Sequence, residues 1–340
     1  MKKIFFKHLV NLCLLAIFAF TLGCCTSQRL VPQPVPDPLP PFYVPTNIRV
    51  ALVLGSGGVR GIAHIGVIEE LAAAGIPIDL IVGCSAGSIV GAFYADKMCI
   101  QDTKHAVWNI HSSSMLDFDI WNCRYGLYQG RSMYQIFDRH LDAHSFEQLK
   151  VPLVVVASDL HSGELVPIGS GDLVQAIRAS SSIPFVFVPC KYKGRVLVDG
   201  SVIDPVPVKV ASDLGAQIVI AVDLCELLEN TVPTNLFSTA VRSLEIICMW
   251  QNEVCTRNAD AIIRPKTCGV GAFNDDMKQQ VYEAGRKAAR EKIPEIKELL
   301  ASLSEDDCAW AGTRKIVPKC YTPQIYLKNQ TPREKSEPSP

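Results

Sequence analysis

Two apolar runs near the start of the chain each end in glycine and each lead directly into a helix-spaced segment. The first is Ile48–Leu54 (IRVALVL). It runs into Gly55-Ser56-Gly57-Gly58-Val59-Arg60-Gly61, and then into apolar residues at helical spacing over Ile62–Ala74, closed by Gly75 and Pro77. The second is Ile78–Val82, followed by Gly83-Cys84-Ser85-Ala86-Gly87 and a helix of small residues over Ala86–Ala95. A short apolar run without alternation predicts a strand buried on both faces. A strand that feeds a helix must cross over before it can pair in parallel with the next strand. Further strands are expected at Pro152–Ala157, Glu164–Ile168, Val196–Val198, Gln217–Val222 and Ala261–Ile263, and helices at 101–111, 131–139, 171–179, 206–213, 235–256 and 276–302. This alternation predicts an α/β protein: three layers (α/β/α) around a mainly parallel central sheet, in one domain over residues 47–302.

Charge and composition narrow the function. The 33 Lys and Arg balance 34 Asp and Glu, which argues against a dedicated nucleic-acid binder. With 48% hydrophobic residues the chain is not globally disordered. A mean hydropathy of +0.19 is high for a soluble enzyme. Part of it lies at the N-terminus. Lys2, Lys3 and Lys7 precede Leu9–Leu22, a stretch without charge. It is short of the roughly 20 residues a spanning helix needs, and it matches the apolar region of a secretory signal. Thr21-Leu22-Gly23-Cys24 then resembles a bacterial lipobox, so residues 1–23 read as a lipoprotein signal peptide and Cys24 as the lipidated residue. A plain cleaved signal or an anchor helix is the alternative. Residues 31–46 hold seven prolines in sixteen residues. Such a segment favours an extended conformation that packs as neither helix nor sheet, so 24–46 is expected to be a tether. The last stretch, 303–340, reads as an extension, partly disordered.

The glycine turns carry the chemistry. GSGGVRG after a strand and before a helix aims backbone N–H groups at one point, which suits an anion. It fails the dinucleotide pattern G-x-G-x-x-G because Arg60 stands where the closing glycine belongs, although Asp79 lies near the distance of a ribose-binding acid. It lacks the G-K-[ST] ending of a phosphate loop. An oxyanion hole and a plain tight turn both remain open for it. Gly83-Cys84-Ser85-Ala86-Gly87 is G-x-S-x-G between strand and helix, the setting of a nucleophile elbow, which presents Ser85 at a helix N-terminus. No histidine follows His161, so the usual order of Ser, acid and His is disfavoured. Asp199, in Leu197-Val198-Asp199-Gly200-Ser201, ends a strand before a glycine turn and is the candidate base; a turn-forming Asp-Gly is the alternative. His64 is expected to pack beneath the glycine loop, Ser180–Ser182 to cap or line a turn near the site, and Asp159 and Asp223 to fix turns.

Taken together these motifs resemble the patatin-like phospholipase family. Its pattern of G-x-G-G-x-[KR]-G, G-x-S-x-G and D-G-[GA] is met by GSGGVRG at 55–61, GCSAG at 83–87 and DGS at 199–201, with Ser201 at a position that is usually Gly or Ala. The stretches at 64–95, 158–164 and 178–187 agree as well. The resemblance covers roughly residues 47–265 and is nearest to bacterial members. It implies a Ser85–Asp199 dyad, oxyanion-hole amides on Gly57 and Gly58, and Arg60 supporting that loop. Gly55, Gly61, Gly83, Gly87 and Gly200 are its motif glycines. It further implies hydrolysis of phospholipid or lysophospholipid esters through an acyl-enzyme, with no cofactor. An exported, membrane-anchored lipoprotein of the cell envelope follows from Cys24, with the outer membrane favoured because Cys25 follows in place of an Asp retention signal. The alternative is an envelope lipoprotein that binds lipid or a protein partner without turnover. No zinc-spaced Cys or His cluster is present, so no metal is expected. Cys308 and Cys320 are the best candidates for a disulfide, and Cys84, Cys190 and Cys225 for small apolar thiols. The stretch 235–256 is apolar on one side (Phe237, Ile246, Ile247, Met249, Trp250) and is expected to pack into the core, with approach to a membrane as its alternative.

Overall fold

A computed structural model describes residues 30–33, 35–119, 121–224, 232–267, 269–271, 273–303 and 312–322. The signal segment, Cys24, the first part of the tether, Cys225, Cys308 and the end of the tail lie outside the described residues. Twelve strands and eight α-helices are described. The strands are β1 (Phe42–Pro45), β2 (Ile48–Leu54), β3 (Leu80–Cys84), β4 (Gly126–Tyr128), β5 (Leu153–Asp159), β6 (Leu165–Ile168), β7 (Phe185–Phe187), β8 (Cys190–Tyr192), β9 (Arg195–Asp199), β10 (Ala216–Val222), β11 (Ala261–Ile263) and β12 (Thr313–Ile316). The helices are α1 (Ile62–Ala73), α2 (Ala86–Lys97), α3 (Ile100–Trp108), α4 (Arg131–His140), α5 (Leu173–Ser180), α6 (Val208–Asp213), α7 (Leu236–Cys255) and α8 (Lys278–Ala301).

The main sheet runs in the order β11-β10-β2-β3-β5-β9-β8, with β6 on β5. From β11 to β5 every pairing is parallel; β6, β8 and β9 pair antiparallel. The central strands are buried on both faces, as their unbroken apolar runs require. Alternate residues serve two cores. Val50, Leu52 and Leu54 pack with helices α1, α2 and α8, whereas Ala51 and Val53 face α6 and the β1 edge. This is the expected three-layer arrangement.

The arrangement around β5 sets up the site. On one edge β5 pairs with β6 over Val155–Ser158. On the other edge β3 runs alongside until Cys84, opposite Val156. There β3 stops, and β9 takes its place from the opposite direction, with Asp199 opposite Ala157. The residue after β3 and the last residue of β9 therefore meet end to end.

Two expectations are corrected. The proline-rich segment does pack at its end: Phe42–Pro45 is a strand paired antiparallel with Thr313–Ile316 of the C-terminal extension. Phe42 is 3% exposed and lies against Gly169, where a Cβ would come within 2.7 Å of its ring. Proline is tolerated because the sheet has only two strands, so each is an edge. Replacing Phe42 by alanine is expected to cost about 3 kcal/mol, read as a lower denaturation midpoint with an unchanged slope. The second correction concerns α7. Its Leu236, Ile246, Ile247 and Trp250 are exposed, and its burial begins only at Asn252 and Cys255. The helix is held by its C-terminal half: Gln251 donates to the carbonyls of Val202 and Ile203, and Asn252 to the Asp223 carboxylate. No helix among the described residues is long and apolar enough to cross a membrane.

Candidate active site

Ser85 sits between β3 and α2 with φ 51° and ψ −118°, in a region that a non-glycine residue adopts only when its surroundings impose it. The glycines beside it permit the turn. A Cβ on Gly87 would lie 2.0 Å from the Leu54 carbonyl oxygen, and one on Gly83 would lie 2.7 Å from the Ser88 Cα. Gly87→Ala is expected to destabilise the fold by about 3 kcal/mol, because the clash is with backbone that cannot rotate away; thermal unfolding measures it. The motif glycines Gly55, Gly61 and Gly200 are equally confined: a Cβ on any of them would meet a neighbouring atom within 2.8 Å.

The Ser85 hydroxyl donates to Asp199 Oδ2 at 2.6 Å. Ser85 is 5% exposed and Asp199 1%. The other carboxylate oxygen, Oδ1, accepts from the Ser201 backbone N–H at 2.9 Å, so the turn after Asp199 fixes its orientation. Burial pushes the Asp199 carboxyl above its ordinary range, opposed by the hydrogen bonds from Ser85 and Ser201. A carboxylate so placed is a better base than one in water, and it touches the proton it would remove.

The serines of the 180–182 run do more than cap a turn. Ser180 Oγ accepts from the Ser85 N–H at 3.0 Å, and the Ser182 carbonyl accepts from the Asp199 N–H at 2.9 Å. This one segment holds the backbones of both Ser85 and Asp199. Their sequence signal is the RASSSIPFVF stretch, whose pattern does not reveal such a role.

Gly57 and Gly58 line the same cavity as Ser85, Arg60 and Asp199. Gly58 has φ +59°, which favours glycine, and Arg60 Nε donates to the Gly57 carbonyl at 3.2 Å, bracing the loop. His64 is fully buried, with Nε2 donating to the Gly55 carbonyl at 2.8 Å, and burial lowers its pKa to about 4. It is a neutral brace beneath the loop. Asp79, the possible ribose acid, is engaged by Arg49 at 2.9 Å and by the Val50 N–H. Asp159 binds Arg195 at 2.8 Å and accepts from the His161 N–H, and Asp223 binds Arg264 at 3.0 Å. Cys84 and Cys190 are buried thiols.

Two cavities meet at Ser85. One, of about 240 Å³, lies between the glycine loop, the Asp199 turn and the inner side of α7 (Val241, Leu244, Ile247, Cys248). The other, of about 90 Å³, is almost wholly apolar, walled by Ile62, Val90, Val107, Met133, Phe137 and Phe187 among others. Ser85, Gly58, Ile183 and Phe273 belong to both. Among the described residues no group of three or more His, Cys, Asp or Glu could hold a metal ion.

Residues 52–212 match the family model described as patatin-like phospholipase. An uncharacterized NTE family protein of Mycobacterium tuberculosis is 37% identical over 177 residues, which is 52% of this chain and 49% of that one. The Patatin-like phospholipase domain-containing protein 6 of Homo sapiens is 34% identical over 185 residues, covering 53% of this chain and 14% of that protein. The chain thus spans about half the length of the mycobacterial relative and a small part of the human one. Among solved structures, VipD from Legionella pneumophila aligns with a TM-score of 0.48 at 14% identity, over 86% of this chain and 72% of that one. The segment that builds the Ser85 elbow and the Asp199 turn therefore carries the sequence signature of the patatin-like phospholipase family over residues 52–212.

Proposed function

We propose that the protein is a serine lipid acyl hydrolase of the phospholipase A or lysophospholipase type, tethered to an envelope membrane through Cys24. The observation that supports it most is the 2.6 Å contact between Ser85 Oγ and a buried Asp199 whose carboxyl is raised above its ordinary range. In this reading Asp199 takes the Ser85 proton as the oxygen attacks an ester carbonyl. The N–H groups of Gly57 and Gly58 donate to the tetrahedral oxyanion. The alkoxy group leaves with the proton returned by Asp199, and the acyl group stays on Ser85 as an ester. Water then attacks that ester, with Asp199 again taking the proton, and the free fatty acid departs.

The cavities support a lipid substrate. The apolar lining of the smaller one suits the acyl carbons next to the ester. The wider one, which reaches Arg60, Arg242 and Glu245, fits the more polar remainder of the molecule. Incubation of the full chain with phosphatidyl and lysophosphatidyl lipids is expected to release fatty acid, and the Ser85→Ala chain none. Equal release from both chains would refute the reading.

A further inference from the structure

Three aromatic side chains on or beside one small β-structure are exposed: Phe118 at 62%, Trp121 at 55% and Phe185 at 53%. Phe118 and Phe185 belong to the β-structure itself, and Trp121 lies in the turn that joins Phe118 to it. Strand β4 pairs in parallel with β7, placing Gly126 opposite Phe185 and Tyr128 opposite Phe187. Phe118 bridges to Tyr128 and packs on its ring at 6.3 Å, while the Tyr128 ring lies 6.0 Å from that of Phe187. The same short strand therefore serves both sides: Phe185 is exposed, Val186 lines the wider cavity and Phe187 the apolar one. Phe185 also holds φ +69°, a conformation a bulky residue rarely adopts. Helix α7 packs against β7, and its Ile246 and Trp250 are exposed.

A second observation bears on what could cover this face. The Leu30 N–H donates to the Tyr125 hydroxyl at 3.3 Å, and Tyr125 immediately precedes β4. Leu30, the first described residue, thus sits beside β4, which fixes where the preceding portion of the chain joins the body. That portion contains the uncharged stretch Leu9–Leu22, and Cys24 lies six residues before Leu30. Six extended residues reach at most about 20 Å, so a lipid group on Cys24 cannot sit far from the aromatics. Aromatic side chains at a membrane surface place their rings at the headgroup level. Arg124, whose guanidinium lies over the Tyr125 ring, stands next to them.

We propose that the Phe118–Trp121–Phe185 face docks into a lipid bilayer, so that the cavities holding Ser85 open onto the acyl chains instead of onto water. This rests on the hydrolase reading for its purpose, but the docking can be measured without turnover.

Two measurements test it. In the first, the full chain carries Ser85→Ala together with Trp108→Phe, Trp250→Phe and Trp310→Phe, so that Trp121 is its one tryptophan. It is bound to vesicles of phosphatidylcholine and phosphatidylglycerol containing doxyl-labelled lipid. Trp121 emission is expected to be quenched several-fold more by the doxyl lipid than by aqueous iodide. Quenching by iodide alone on the anchored protein would overturn the docking. In the second, Phe118→Ser combined with Trp121→Ser in the active chain is expected to slow hydrolysis of vesicle phospholipid at least about tenfold, while hydrolysis of a soluble short-chain ester stays within about twofold. Equal losses on both substrates, or no loss on vesicles, would contradict it. A change from dimer to monomer in that variant, with the doxyl quenching absent, would show that the face joins two copies. If the unsubstituted chain cleaves neither substrate, the hydrolase reading fails, and the quenching still decides the docking.

Discussion

Replacing Ser85 by alanine is expected to lower kcat for ester hydrolysis by at least about 10⁴-fold while leaving the fold in place. The loss follows from the removal of the only atom that could carry the acyl group in the proposed reaction. The fold is expected to survive because the substitution deletes one oxygen and keeps the β3–α2 turn. The Ser85 N–H still reaches Ser180 Oγ, and the Ser85 carbonyl still accepts from the Ser88 and Ile89 N–H groups. Steady-state rates on a soluble ester, with a thermal melt of the same preparation, separate the two effects. A residual rate within tenfold of the unsubstituted chain, at unchanged melting temperature, would remove Ser85 from the reaction.

The second large effect belongs to Asp199. Asp199→Asn keeps the shape and removes the base, and kcat is expected to fall about 10²–10⁴-fold. The pH dependence has a definite sign. Only the carboxylate can take the Ser85 proton, so activity rises with pH as Asp199 ionises. Because burial raises its pKa, the midpoint of that acid limb is expected above the ordinary aspartate value of 3.8. Stability runs the other way. The folded chain holds the Asp199 proton more tightly than the unfolded chain does, so the contribution of this group is fully present below the ordinary value. It is lost as pH rises through the raised value. At neutral pH the buried carboxylate is therefore a cost, and Asp199→Asn is expected to be at least as stable as the unsubstituted chain. A pH–rate profile and a denaturation curve of each form measure both. An acid limb unchanged in Asp199→Asn would assign that ionisation to another group.

These expectations come from a site that is largely visible in local sequence. GSGGVRG and GCSAG each follow a buried strand by the spacing that a turn and a helix start demand, and DGS ends a third strand. What local pattern cannot show is that β9 enters the sheet antiparallel at the point where β3 stops. That meeting of Ser85 and Asp199 depends on pairings across 114 residues. The same limit applies to β1, whose partner Thr313–Ile316 is distant in the chain and whose prolines argue for an extended tether. Strands β4, β7 and β8 are three residues each, too short for alternation to register. The role of Ser180 and Ser182 is hidden for a different reason: it runs through backbone groups of other residues. Helix α7 illustrates the last limit. Its apolar side is plain in LFSTAVRSLEIICMWQNEVC, but periodicity does not say whether protein or something else covers that side.

The central claim is that Ser85, activated by Asp199, forms a covalent acyl-type intermediate. A fluorophosphonate probe tests it directly, because it reacts at an activated serine and its adduct can be located by peptide mass spectrometry. The account predicts one adduct on Ser85 in the unsubstituted chain, none there in Ser85→Ala, and greatly slowed labelling in Asp199→Asn. Equal labelling of the unsubstituted and Ser85→Ala chains, or an adduct on another serine, would contradict it.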